Sequence, residues 1–167
     1  MYIEFKTEFF KKLQKVNKPS FMRRLVNRSG VVAVNFSKER FVRKDWLDGS
    51  SREVWQKRKK TDKGSLMVRS GRLKRSIRKM SEGDYFVYVG TDVPYAQVHN
   101  EGGEINKTAN VRTHTRVRKG RKETVKAHRR QMKLTMPKRQ FLGDSDALAK
   151  RIERFALREI DNEIQKH

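Results

Sequence analysis

The chain has 167 residues and carries 42 Lys and Arg against 19 Asp and Glu, a formal net charge of +23, with 35% apolar residues and no cysteine. That is one ordinary domain's length with a small core, and it excludes a disulfide scaffold and a thiolate metal site. The longest apolar run, Val31-Val32-Ala33-Val34, is far too short to cross a bilayer, so a soluble protein of a reducing compartment with anionic partners is expected.

In chain order, Phe5, Phe9, Leu13 and Val16 form one apolar stripe among lysines, a short helix ended near Asn17 and Pro19. Glu4 and Glu8 stand where a leader would be apolar, so no signal peptide is expected. Ser20 is placed to cap a second helix running through Leu25, Val32 and Phe36 as far as Trp46, with Gly30 weakening its continuity. Asp48-Gly49-Ser50-Ser51 and Lys57-Arg58-Lys59-Lys60 read as loops, and Leu66 to Arg69 as a short strand. Ser70-Gly71-Arg72-Leu73 opens a capped helical turn with Leu73 and Ile77 on one face. Glu82-Gly83-Asp84 is a turn, and Tyr85 to Val89 is the strongest strand pattern in the chain, ended by Gly90. Pro94 to His99 suits one or two helical turns stopped by Gly102-Gly103.

Residues 107–131 alternate as a β-hairpin, with Val111, Thr113, Thr115 and Val117 on one face and Arg112, His114, Arg116 and Arg118 on the other. Placing the apolar positions on one face requires paired residue numbers to sum to an even value, hence an odd-numbered loop; the wider choice sets His114 opposite His128 and Val117 opposite Val125. Either choice leaves a dense cationic face, and like charges directly opposite destabilise a hairpin. Lys107 to Arg139 holds 13 Lys and Arg and one acid, Glu123. Asp144 is placed to cap a final helix with Leu148, Ile152, Phe155, Ile160 and Ile164 as its stripe. The fold class is α+β: an antiparallel sheet flanked by helices, a long projecting basic hairpin and a C-terminal amphipathic helix. Residues 1–65 read as a helical segment and 66–167 as the α+β core.

The residues argue against chemistry. His99, His114, His128 and His167 have no helical i, i+4 partner, and cations surround the two in the hairpin, so no metal site is expected. Ser70 lacks a nucleophile-elbow pattern and reads as a cap. Glu153, Glu159, Asp161 and Glu163 read as a solvated helix face with i, i+4 pairs. No phosphate-cradling glycine loop is present. A polyanion contact through Arg112, His114, Arg116, Arg118, Lys119, Arg121, Lys122, Lys126, His128, Arg129 and Arg130 remains, without any aromatic residue from Lys107 to Gln140 for bases to stack on.

Three segments in order carry a resemblance: Ser70-Gly71-Arg72-Leu73 with Ser76-Ile77; Val89-Gly90-Thr91 through Tyr95-Ala96, His99 and Gly102-Gly103; and Pro137-Lys138-Arg139-Gln140-Phe141-Leu142-Gly143. Together they resemble the tailed-phage virion morphogenesis, or tail completion, proteins over roughly residues 66 to 160. Physically these are scaffold residues. Gly71 and Gly90 would allow turns, Tyr95 and Val98 would pack the short helix, His99 would bond a backbone group, and Phe141 and Leu142 would anchor the returning chain. The resemblance implies a non-enzymatic structural protein of the virion neck, without a cofactor, assembled in the host cytoplasm. It would form a ring of its own copies, expected to be hexameric, against connector and tail-tube proteins. The hairpin would reach a neighbouring subunit or ring, with non-specific contact to packaged DNA second and no membrane contact. Residues 1–60, with Trp46 and Trp55, match it only loosely.

Overall fold

The structure is a computed structural model and describes residues 16–58 and 64–166. The helix expected over Phe5 to Val16 lies, apart from Val16, outside the described residues.

Helix α1 spans Pro19–Arg43. Pro19 occupies its first turn, and Lys18 precedes it without a side-chain cap. Ser20 is therefore inside the helix and caps nothing. Gly30 does not break it. The glycine is buried, and a Cβ there would stand 2.6 Å from Val87 Cγ2 and 2.9 Å from Lys79 Cδ, so the position exists to let strands lie against the helix. The helix ends before Trp46, at left-handed Lys44, whose N–H donates to the Arg40 carbonyl.

Where a loop was expected after Trp46, strands β1 (Asp45–Asp48) and β2 (Ser51–Val54) pair antiparallel, with Gly49-Ser50 as the turn. Leu66 to Arg69 is no strand: Ser65 and Val68 form an isolated bridge around a turn in which Met67 takes φ +62°. Helix α2 (Arg72–Ser76) follows, entered through left-handed Gly71; Ser70 Oγ accepts from Arg72 N at 3.4 Å. Then β3 (Arg78–Glu82) pairs with β4 (Val87–Gly90). Strand β3 has no strand pattern in its residues, and β4 begins later than its aromatic run suggests. Tyr85 and Phe86 lie in the turn, closed by Gly83 N donating to the Phe86 carbonyl. Gly90 is a paired strand residue opposite Arg78, not a turn.

Helix α3 (Ala96–Glu101) ends at Gly102. Gly102 and Gly103 take φ +77° and +138°, and a Cβ on Gly102 would stand 2.9 Å from Lys138 N. The long hairpin follows: β5 (Gly103–Val111) with β8 (His128–Met136), and β6 (His114–Arg118) with β7 (Arg121–Val125). Helix α4 (Asp146–Gln165) is capped by Ser145, not Asp144: Ser145 Oγ accepts from Leu148 N and donates to the Leu47 carbonyl.

The core gathers Phe41, Trp55, Leu73, Ile77, Val93, Ala96 and Phe141, all buried. Phe41 stacks edge-on to Trp55 and lies 5.0 Å from Phe141. Beside it Arg40 and Asp45 form a buried ion pair at 2.8 Å, with Arg52 on the second Asp45 oxygen at 3.1 Å. Helix α4 runs antiparallel along α1. Arg24 meets Glu163, Arg28 meets Glu159 and Glu39 meets Arg151, and the stripe of Leu148, Ile152, Phe155, Ile160 and Ile164 is half-buried. Two of the acids expected to make pairs within their own helix, Glu159 and Glu163, thus bridge to α1. The fold is α+β, with antiparallel strand pairs flanked by helices.

Candidate functional site

The hairpin from Gly103 to Met136 is longer than its sequence pattern, and none of its residues is buried. Its register departs from expectation. Arg118 pairs with Arg121 across the two-residue turn Lys119-Gly120, so paired numbers sum to an odd value all along the ladder. Both turn residues take positive φ, +50° and +78°, the type I′ signature whose twist suits a tight hairpin.

The physical reason is that no fully buried face exists to enforce the apolar alternation; charge decides instead. In the observed register Arg129 faces Asn110, Arg130 faces Ala109, Lys133 faces Asn106 and Lys122 faces Val117, while Arg116 meets Glu123 at 3.3 Å. Arg118 and Arg121 are the sole directly opposed cations among these pairs. An even register would oppose several, including Arg112 with His128 or Arg130. His114 and His128 do not meet: they pair with Val125 and Val111. Each imidazole Nδ1 instead lies 2.9 Å from the carbonyl two residues before it, Arg112 and Lys126. These contacts flank a symmetric break in the ladder, where Thr113 Oγ1 accepts from Ala127 N.

Antiparallel partners point to the same face. In the base half, Ile105, Lys107, Ala109, Val111, His128, Arg130, Met132, Leu134 and Met136 therefore share one face, while Glu104, Asn106, Thr108, Asn110, Arg129, Gln131, Lys133 and Thr135 share the other. Leu134 is 46% exposed. The base of the hairpin thus has two surfaces back to back, one mostly apolar with Lys107, His128 and Arg130 among its members, the other polar. The remaining cations, Lys119, Arg121, Lys122 and Lys126, crowd its far half.

At the hairpin's root, the motif residues hold the two chain crossings together. Asn100 on α3 accepts at Oδ1 from the backbone N–H groups of Phe141 and Leu142 and donates from Nδ2 to the Leu142 carbonyl. Sequence reasoning missed Asn100 and gave a backbone contact to His99. It is the His99 main-chain carbonyl that accepts, from Arg139 N at 2.8 Å; its ring stacks on Tyr95, and its buried Nδ1 has no partner. Burial, then the Arg139 charge, lowers the imidazole pKa. Leu73 and Ala96 are buried, Tyr95 is exposed, and Gly143 takes φ +145°. Trp55 Nε1 donates to the Gln140 carbonyl and Arg139 Nε to the Gln56 carbonyl, tying the second crossing to the N-terminal part of the chain.

A third feature, absent from the sequence expectations, is an exposed aromatic group around β3 and β4: Tyr85, Phe86 and Tyr88, with Met80 and the acids Glu82 and Asp84 beside it. Among the described residues no group of three or more His, Asp or Glu is placed to hold a metal ion, and no helix is long and apolar enough to cross a membrane.

A family model described as the phage virion morphogenesis family matches residues 7–161 of this chain. The match begins well before the motifs at Ser70 and takes in α1, β1 and β2. No curated protein and no solved structure matches.

Proposed function

The chain belongs to the phage virion morphogenesis family, and on that premise we propose that it is a structural subunit of the virion neck, completing the tail and joining it to the head connector as one member of a ring. The observation that carries this reading is the long hairpin. Thirty-four residues, 103–136, include none that is fully buried within the subunit, yet present a mostly apolar face and a cationic far half. A surface of that kind gains most of its burial from a neighbour. The exposed Tyr85, Phe86 and Tyr88, flanked by Glu82 and Asp84, offer a second copy matching chemistry: apolar area, aromatic faces for guanidinium groups, and acid for base. On this reading the hairpin projects from one subunit onto the next or onto an adjoining ring, and the protein acts by contact, without turnover.

Replacing Arg112, Arg116, Arg118 and Arg130 with Gln tests it. Complementation with this variant should leave filled heads and finished tails unjoined, while the purified variant keeps its helical content. Joined, infectious particles at the normal yield would overturn the assembly role of the hairpin.

The cation density also favours a second reading, contact with packaged DNA. Its mark would be an affinity that falls with added salt at a slope of about −0.9 per phosphate neutralised. A variant that loses DNA binding but still joins heads to tails would separate the two.

A further inference from the structure

Arg139 is 7% exposed, and among the described residues its guanidinium has a backbone carbonyl, that of Gln56, as its acceptor. Among the described residues no carboxylate stands within ion-pair distance of it. A buried guanidinium cannot shed its proton to escape that cost. Burial, followed by the neighbouring Arg58 charge, already weighs against its charged form. It lines an open cavity of about 340 Å³ together with Arg58, Arg69, Arg72, His99 and Ser70. Arg72 likewise has no carboxylate partner among the described residues. His99 adds a buried Nδ1 with nothing bonded to it. Four guanidinium groups, an imidazole and a hydroxyl thus converge on one concavity between α2, α3 and the hairpin root, whereas the hairpin's own cations lie spread along an exposed ribbon.

We propose that this cavity binds a single oxyanion group, a phosphate or a carboxylate, held by Arg139 and Arg72 with His99 as a further donor. The planar fork of a guanidinium matches both groups bidentately. An oxyanion there supplies a countercharge that no carboxylate among the described residues gives Arg139, beside the His99 ring that lines the same cavity. The concavity favours a group that can enter it, a free anion or an acidic side chain from another chain, over the phosphates of a stiff duplex. The inference stands on these residues and not on the neck reading.

The test is a titration of the full-length protein at constant ionic strength, followed by NMR at Arg139 Nε–H and the His99 imidazole. Inorganic phosphate and N-acetylglutamate amide are the two probes. Saturable shifts confined to this cavity, with the His99 pKa rising on binding, are expected. Tighter binding of phosphate assigns a free anion; tighter binding of the glutamate probe assigns a carboxylate from a neighbouring protein. Arg72→Gln, at an exposed position, should weaken binding about tenfold, the size of one charge-assisted hydrogen bond. Arg139→Lys should weaken it further if the variant folds. The four-Gln hairpin variant should bind as wild type does. Shifts that grow linearly without saturating, survive Arg72→Gln, or vanish in the hairpin variant would mean diffuse attraction to a cationic protein and overturn the site.

Discussion

Asn100 makes three hydrogen bonds to the backbone of Phe141 and Leu142 and fastens α3 to the returning chain. Asn100→Ala leaves two buried N–H groups without acceptors, and a loss of about 2–4 kcal/mol is expected, read as a lower urea midpoint with unchanged slope. Arg40 and Asp45 behave differently. Asp45→Asn leaves the buried Arg40 with the half-buried Glu39, at 3.4 Å, and should cost up to about 3–5 kcal/mol, whereas Arg40→Met with Asp45→Leu should cost markedly less. Chemical unfolding of the single and double variants checks this. At His99 the sign is fixed by the depressed pKa. The unfolded chain takes up a proton near 6.5, and the folded chain only at lower pH. The stability tied to the neutral imidazole is therefore present in full above that value and is lost as pH falls toward the folded pKa. His99→Gln should flatten that acid limb of the stability profile, measured by urea midpoints at a series of pH values.

At the scale of elements, the register of the hairpin is the sharpest consequence of charge. Thr115 and Thr124 stand opposite one another at a position beside the tight turn, and the chain has no native cysteine to interfere. Thr115→Cys with Thr124→Cys should form a disulfide under mild oxidation, while Thr115→Cys with Val125→Cys should not; mass spectrometry distinguishes them. Much of the rest was legible beforehand. The helix through Phe36, the short helix after Pro94, the buried pair of Leu73 and Ile77, and α4 all carry spacings that survive in the structure. What was illegible has a shared cause. The strand segments Asp45–Asp48, Ser51–Val54 and Arg78–Glu82 have neither alternation nor β-branched runs. They are strands because a turn or the surface at Gly30 makes them so. Hairpin register was misjudged because an even sum presumes a core-facing side, and residues 103–136 have none.

For the whole molecule, a small core around Phe41 and Phe141 supports a chain of which a fifth lies in the unburied hairpin, so association should raise its stability more than internal packing can. Light scattering behind size exclusion should show a discrete multi-subunit species in high salt, and a monomer there would count against self-assembly through the hairpin. At the root, the motif residues around His99 and Arg139 were recognisable as a set, but their convergence on one cavity was not, because spacing says nothing of where two chain crossings meet. Among the described residues every ladder has two strands. Each strand therefore carries one row of amide and carbonyl groups turned away from its partner, open to whatever strand arrives first. Along Lys107 to Lys133 the repulsion between identical ribbons guards those rows. The charge read above as a contact surface thus equally opposes the edge-to-edge pairing of free subunits.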